Sequence, residues 1–225
     1  AIGEIVLVVI GILIALQINT WNEERKENNI EANYLKEMLK DYEVNLKRSN
    51  TVIDSYEKMI PTLKGLIEQS LLEKPSMSVD SLNMACMTII DMPTYSSSDR
   101  VYNNLIGSGD LRLIKNNKLK TELSIYYEKL HILKLVQTTH EMELVESFQP
   151  YIINNMDFLA VAPQRLEDFR LPIPKEKDKI LEVLHDYEFR NTITLKWVII
   201  TDLLEQNRDL LKSNTAIIEL LKDYD

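Results

Sequence analysis

The stretch AIGEIVLVVIGILIALQINTWNEERK, residues 1–26, decides how the chain is read. It is almost wholly apolar until Trp21 and then turns into charge. The uninterrupted run from Ile5 to Leu16 holds twelve residues, a length shared by signal-peptide cores and buried helices, so the flanks must discriminate. No basic region precedes the run, and ALQINTWNE offers no small-x-small cleavage site, which argues against a removed signal peptide. As a helix, Ile2 to Ile18 rises about 25 Å, slightly under the roughly 30 Å of a hydrocarbon core. The chain opens without Met, and residues upstream of Ala1 are expected to complete the span. Trp21 stands where an interfacial aromatic belongs, and NEERKE follows as the aqueous exit. The expectation is a single membrane-spanning helix over residues 1–21 with membrane lipid as its first partner, joined to an extramembrane helical domain over residues 22–225.

At 100° per residue, Glu4, Val8, Gly11 and Ala15 share one narrow stripe, and Gly11-x-x-x-Ala15 is a small-x-x-x-small pair that lets helices approach closely. These four residues are the candidate membrane-helix packing face, and Trp21 the candidate membrane-interface residue. Glu4 has three readings: an acid that reaches headgroup water, a buried partner contact, or a group involved in ion movement. Gln17 lies about 220° around the helix from Glu4, so the two do not form one polar path.

Beyond the opening, few glycines and prolines and abundant Leu, Ile, Lys, Glu and Asn point to helices. Tyr34, Leu35, Met38, Leu39, Tyr42, Leu46, Ile53, Tyr56 and Ile60 recur at gaps that mark one face of a long amphipathic helix. No Gly or Pro falls between Gly11 and Pro61, so the membrane helix is expected to continue into this one as a rod, with Pro61 kinking it or starting a new segment that runs to about Lys74. After PSMSVD, Asp80 or Ser81 is placed to cap a helix through Ile90. Ser98 or Asp99 caps a short helix that GSGD, residues 107–110, ends with glycines suited to a left-handed cap. A strong helix follows from Leu111 or Asn117 to Gln149, interrupted near Pro150. Residues 160–175 hold three prolines and are expected to be an irregular connection. A short and then a long helix close the chain. In the long one, Trp197, Leu204, Leu211 and Ile218 are spaced by seven, with Asn207 and Asn214 on the flank. This is the candidate partner-facing helix, coiled-coil-like in spacing, in which the asparagines either fix register against a partner or sit exposed at the edge of the stripe. The fold class is all-α: a transmembrane helix continuing into a long amphipathic helix, then an extramembrane helical bundle.

The formal net charge of −9 opposes sequence-independent affinity for phosphate backbones, so nucleic acid is not an expected partner. Catalytic constellations are missing from the sequence: no His-Glu-x-x-His, Cys-x-x-Cys, glycine-rich phosphate loop or Gly-x-Ser-x-Gly occurs. His131 and His140 are nine residues apart, on opposite sides of one helix, and His140 with Glu143 lacks the paired Glu-x-x-His units of a di-metal bundle. Cys86, alone among apolar neighbours, reads as a small buried hydrophobe. GSGD reads as a turn ahead of an anion seat, and Tyr95, Tyr126 and Tyr127 as core-edge residues whose hydroxyls reach water ahead of ligand-pocket residues. No catalytic residue, cofactor site or metal site is expected.

The opening stretch closely resembles the signature of a family of uncharacterised single-pass membrane proteins common in Bacteroidota, known only as a domain of unknown function. VYNNLIGSGDLRLIKNNKLKTELSIYY, residues 101–127, resembles the middle of that family. In the family a basic stretch precedes the apolar segment, and the resemblance therefore implies a bacterial inner-membrane protein whose body is periplasmic. It implies no activity.

The leading expectation is a non-enzymatic, membrane-anchored interaction or scaffold protein of the cell envelope, self-assembling or an accessory subunit of a larger complex. The alternative is a periplasmic ligand-sensing helical module. Two further readings, an enzyme using dispersed carboxylates and tyrosines and an ion-conducting oligomer using Glu4, have no constellation behind them.

Overall fold

A computed structural model describes residues 2–161, 176 and 178–224, and among these residues no strand occurs. The elements are α1 (Ile2–Leu71), α2 (Val79–Ile90), α3 (Arg100–Gly107), a 3-10 turn (Asp110–Leu113), α4 (Asn117–Glu143), a π turn (Leu144–Phe148), α5 (Gln149–Asn155), α6 (Phe158–Val161), α7 (Lys179–Val183) and α8 (Tyr187–Lys222). The chain is all-α. The expected irregular connection begins inside α6, and from 162 to 175 it lies outside the described residues.

Several expected boundaries move, each for a local reason. Pro61 neither kinks α1 into two elements nor ends it. Pro61 and Glu57 are both exposed, so the Glu57 carbonyl that loses its N–H partner lies on the solvent side and the helix runs on to Leu71. The cap of α2 is Ser78, ahead of the expected Asp80 or Ser81, with its hydroxyl accepting from the Ser81 amide at 3.2 Å. Asp99 sits at the N-cap of α3 without a side-chain capping bond. Asp41, on α1, supplies that function: one carboxylate oxygen accepts from the Val101 amide at 3.2 Å and the other from the Ser98 hydroxyl at 2.9 Å.

The chain divides into two compact units. The first comprises Ala1–Leu46, Ser97–Ile125 and Ser213–Asp225. Its core takes Leu35, Met38 and Tyr42 from α1, Val101 and Leu105 from α3, Leu119 and Leu123 from α4, and Ile217, Ile218 and Leu221 from α8. The spacing of three and four in each set puts one stripe of each helix inside. The backbone leading into α3 is fastened by Asn45, whose amide nitrogen donates to the Ser98 carbonyl at 2.9 Å while its oxygen accepts from the Ser98 amide at 2.6 Å. Glu31 holds the other end, accepting from the Lys115 amide at 2.6 Å.

The second unit comprises Lys47–Ser96 and Tyr126–Lys212. Tyr56, Leu63 and Leu66 of α1, Leu82, Cys86 and Ile89 of α2, and Ile193, Ile200 and Leu203 of α8 form its centre. Cys86 is buried as expected for a small hydrophobe, and burial pushes its thiol up to about 12. Among the described residues, no helix is long and apolar enough to cross a membrane.

Loss of the Asp41 carboxylate leaves the start of α3 uncapped and the Ser98 hydroxyl without its acceptor. Asp41→Ala is expected to destabilise the chain by about 1–2 kcal/mol, read as a lower midpoint in urea unfolding. An unchanged midpoint rejects the capping role.

Candidate functional site

The first quarter of α1 sets the problem. From Leu7 to Ile18 every large apolar side chain is between 47 and 70% exposed, on all sides of the helix: Leu7, Val8, Val9, Ile10, Ile12, Leu13, Ile14, Leu16 and Ile18. A soluble helix turns one stripe inward and the rest to water. Here no stripe is covered. Of the candidate packing face, Val8, Gly11 and Ala15 are exposed, and a methyl group added at Gly11 would meet nothing within 4 Å. The Glu4 side chain lies outside those described. Trp21, 61% exposed, ends the apolar stretch, and the Arg25 guanidinium stands 5.9 Å from its ring.

Directly after Trp21, a polar collar packs on α1. Arg112 pairs with Glu27 at 2.9 Å, and Lys115 hydrogen-bonds the Asn28 side chain. Tyr34 donates its hydroxyl to Asp110 at 2.9 Å, and the Ser108 hydroxyl donates to the same carboxylate oxygen at 2.8 Å. Gly109 takes φ +75°, a left-handed conformation that glycine adopts without a Cβ clash. GSGD is therefore a turn. Its own aspartate occupies the local donors.

Of the three tyrosines expected at a core edge, Tyr127 is half-buried and the other two are interior. Tyr95 and Tyr126 are buried with their hydroxyls 2.9 Å apart, and Tyr126 meets Tyr127 edge-on at 5.2 Å between ring centres. Gln137 brackets the Tyr95 backbone, accepting from its amide at 3.1 Å and donating to its carbonyl at 3.2 Å.

Along α8, Leu204, Asn207, Asn214 and Ile218 are buried in the chain's own packing, while Trp197 and Leu211 are half-buried. Asn207 and Asn214 do not sit exposed at the edge. The Asn214 amide donates to the Tyr42 carbonyl at 3.1 Å, and that of Asn207 to the Leu203 carbonyl at 2.8 Å.

The most unusual chemistry lies one position before Trp197. Lys196 is fully buried, and its ammonium has three partners arranged around it. Nζ donates to the Asp91 carbonyl at 2.8 Å and stands 2.7 Å from His140 Nε2 and 5.3 Å from the centre of the Phe148 ring. For Nε2 to accept, the imidazole proton must sit on Nδ1, and Nδ1 has no hydrogen-bond partner. Burial pushes Lys196 down to about 7, with Asp91 opposing. Burial, and then the Lys196 charge, push His140 down to about 4. The π turn builds this site. In a regular helix residues 140 and 148 would lie about 80° apart; one wide turn absorbs a residue and reduces that to roughly 20°. Phe148 then packs against His140 with ring centres 6.3 Å apart. The sequence reading passed over Lys196, although Ile193, Lys196, Ile200 and Leu203 share the helical spacing of a buried stripe. Phe148, whose ring faces the ammonium, also lines a surface groove with Ser147, Leu195 and Val198. No group of three or more His, Cys, Asp or Glu among the described residues is arranged to hold a metal.

The pair gives stability a defined pH dependence. Between about 7 and the ordinary lysine value of 10.5 the unfolded chain holds the Lys196 proton more tightly than the folded one, so stability rises with pH there. His140 acts in the same direction between about 4 and 6.5. Cys86, with its folded value at about 12, acts in the opposite direction above 9 and offsets the Lys196 contribution there. The unfolding free energy is expected to rise by about 2 kcal/mol between pH 7 and 9, and Lys196→Met to flatten that rise. An equal rise in the variant rejects the assignment.

No curated protein and no solved structure matches the chain. A match to a family of unknown function, DUF6090, extends over residues 4–157, taking in the apolar segment, the collar and the π turn. The chain belongs to the DUF6090 family of unknown function.

Proposed function

We propose that this chain is a membrane-anchored helical interaction protein of the bacterial envelope, non-enzymatic, acting as a scaffold for copies of itself or for a larger membrane complex. One observation carries the reading: the stretch Leu7–Ile18 exposes its apolar side chains on every side. Water disfavours such a sheath by about 25 cal/mol for each Å². A lipid hydrocarbon phase does not, and it also requires the all-helical hydrogen bonding that α1 has. The described apolar side chains cover twelve positions, about 18 Å of helix, and Ile2 and Ile5 extend the apolar sequence toward a full span. Trp21 and Arg25 then sit at headgroup depth, with the collar as the first aqueous layer. A single pass with the body in the periplasm, and an origin in Bacteroidota, follow from the family resemblance of the opening stretch.

Flotation of the full chain with phosphatidylcholine vesicles tests the anchor. The chain is expected in the lipid fraction and to resist extraction at high pH. Ile10→Lys with Ile14→Lys places two charges mid-segment, each disfavoured by about 3 kcal/mol, and is expected to leave the chain in the aqueous fraction. A wild-type chain that stays with the aqueous fraction, or a double variant that floats as well, overturns the proposal.

A further inference from the structure

Helix α8 and the π turn border a surface groove. Its apolar lining comprises Phe148, Leu195 and Val198, and its polar lining includes Ser147, Tyr187 and Glu188. Leu195 and Val198 are 44 and 42% exposed, and Tyr187 77%. Tyr187, Asn191, Leu195 and Val198 follow one another at gaps of three and four, so the lining runs along α8 for three turns, about 16 Å. Helix α4 runs antiparallel to α8, with Lys129 at the Asp209 carbonyl and His140 at Lys196. Its last turn and the π turn form the opposite wall.

The charge on this groove has one sign. Glu188 lines it. Glu143 accepts from the hydroxyl of Ser147, another lining residue, at 3.1 Å, and exposed Asp202 follows Val198 by one turn. Among the described residues no Lys or Arg lines the groove. From 135 to 148 the chain holds neither. From 187 to 206 it holds two: Lys196 is buried, and half-buried Arg190 donates to the His185 carbonyl at 3.4 Å. Elsewhere carboxylates have cations beside them, as Glu57 has Arg208 and Asp209 has Lys212. Glu143, Glu188 and Asp202 have no ion-pair partner among the described residues. Burial, and then Glu188 and Asp186, push the Tyr151 hydroxyl up, the mark of an uncompensated negative potential at this end.

We propose that this groove seats a basic amphipathic helix of a partner protein, with the partner's apolar stripe on Phe148, Leu195 and Val198 and its Lys or Arg side chains at Glu143, Glu188 and Asp202. Shape and charge select that occupant together. An apolar lining three turns long takes the residues at i, i+4 and i+7 of a helix. Unpaired carboxylates at its borders attract cations and repel an acidic helix. The exposed ring of Tyr187 offers one more cation a face to rest on. A second copy of the chain, with a net charge of −9, is the disfavoured occupant. The inference rests on the interaction reading proposed above and names the partner's chemistry.

Thiol trapping on the full chain in detergent tests the groove; buried Cys86 stays out of reach. Asn191→Cys sets a thiol in the groove and Asp54→Cys an exposed control on α1. The probe is a helical peptide of about five turns, leucines on one face and lysines on the other, with a cysteine at either end. At redox equilibrium its mixed disulfide with residue 191 is expected to exceed that with residue 54 several-fold. It is expected to exceed equally that of a peptide with glutamates in place of lysines and that of a scrambled peptide of the same composition. Glu143→Gln with Glu188→Gln, and separately Leu195→Ser with Val198→Ser, are each expected to lower trapping several-fold, in variants whose urea midpoints show them folded. Equal trapping at 191 and 54, no preference for the amphipathic lysine peptide, or indifference to both double variants overturns the proposal. So does a covalent dimer of the Asn191→Cys chain alone, which would make a second copy the occupant. Vesicle flotation of the same variants is scored separately. Trapping absent with flotation kept rejects this groove alone, and flotation lost with trapping kept rejects the anchor alone.

Discussion

A peptide group that leaves a helix and is buried must find a partner elsewhere, and in this chain side chains on the long helices repeatedly provide it. Gln69 of α1 accepts from the amides of Ser76 and Met77. Tyr56 donates to the Pro93 carbonyl, Lys196 to that of Asp91, and Gln137 holds both polar groups of Tyr95. Asn45, Asp41 and Glu31 do the same for the backbone at Ser98, Val101 and Lys115. Apart from those of Gln69, these bonds span tens of residues in sequence. The connections between α1 and α4 are thereby given one conformation without sheet structure or disulfides, which hydrophobic burial alone would leave less specified.

The same logic clarifies the buried lysine. Asp91 ends α2 with extended backbone, and its carbonyl points into an apolar interior. A neutral donor would satisfy it at a smaller desolvation penalty. Lysine adds reach from α8 and two further donors, which His140 and the face of Phe148 take up. The arrangement is a polar junction where a carbonyl, an imidazole and an aromatic face converge on one ammonium. With Lys196 fully buried, the junction bears on folding and on proton balance, separate from the apolar surface on the opening helix.

Much of the fold was legible in the sequence because helical spacing is a local signal. The stripes of α1, the short-then-long pair α7 and α8, and the turn at Gly109 all follow from residues within a few positions. What escaped was set by distant partners. Ser98 and Asp99 look like caps, but Asp41, nearly sixty residues earlier, does the capping. Asn207 and Asn214 look like surface residues, and only the packing of neighbouring helices shows them inside. Lys196 broke the rule that a lysine marks the wet face. The exposure of Ile132, Leu135 and Met142 on α4 was hidden for the opposite reason: with apolar residues on two faces, periodicity has no single direction to report.

The π turn at Leu144–Phe148 also has a meaning for how this chain tolerates change in length. An extra residue in a surface loop is absorbed where it occurs. An extra residue taken up inside a continuous helical stretch turns everything beyond it by about 100°. Phe148, Tyr151 and Ile152 face inward because the π turn takes up one residue locally instead of passing it on as that rotation. Removing one residue from the turn would restore regular helical spacing and leave all three on the same face. The turn therefore marks a place where this helical stretch can hold one residue more or one fewer without turning its inner face away from the core.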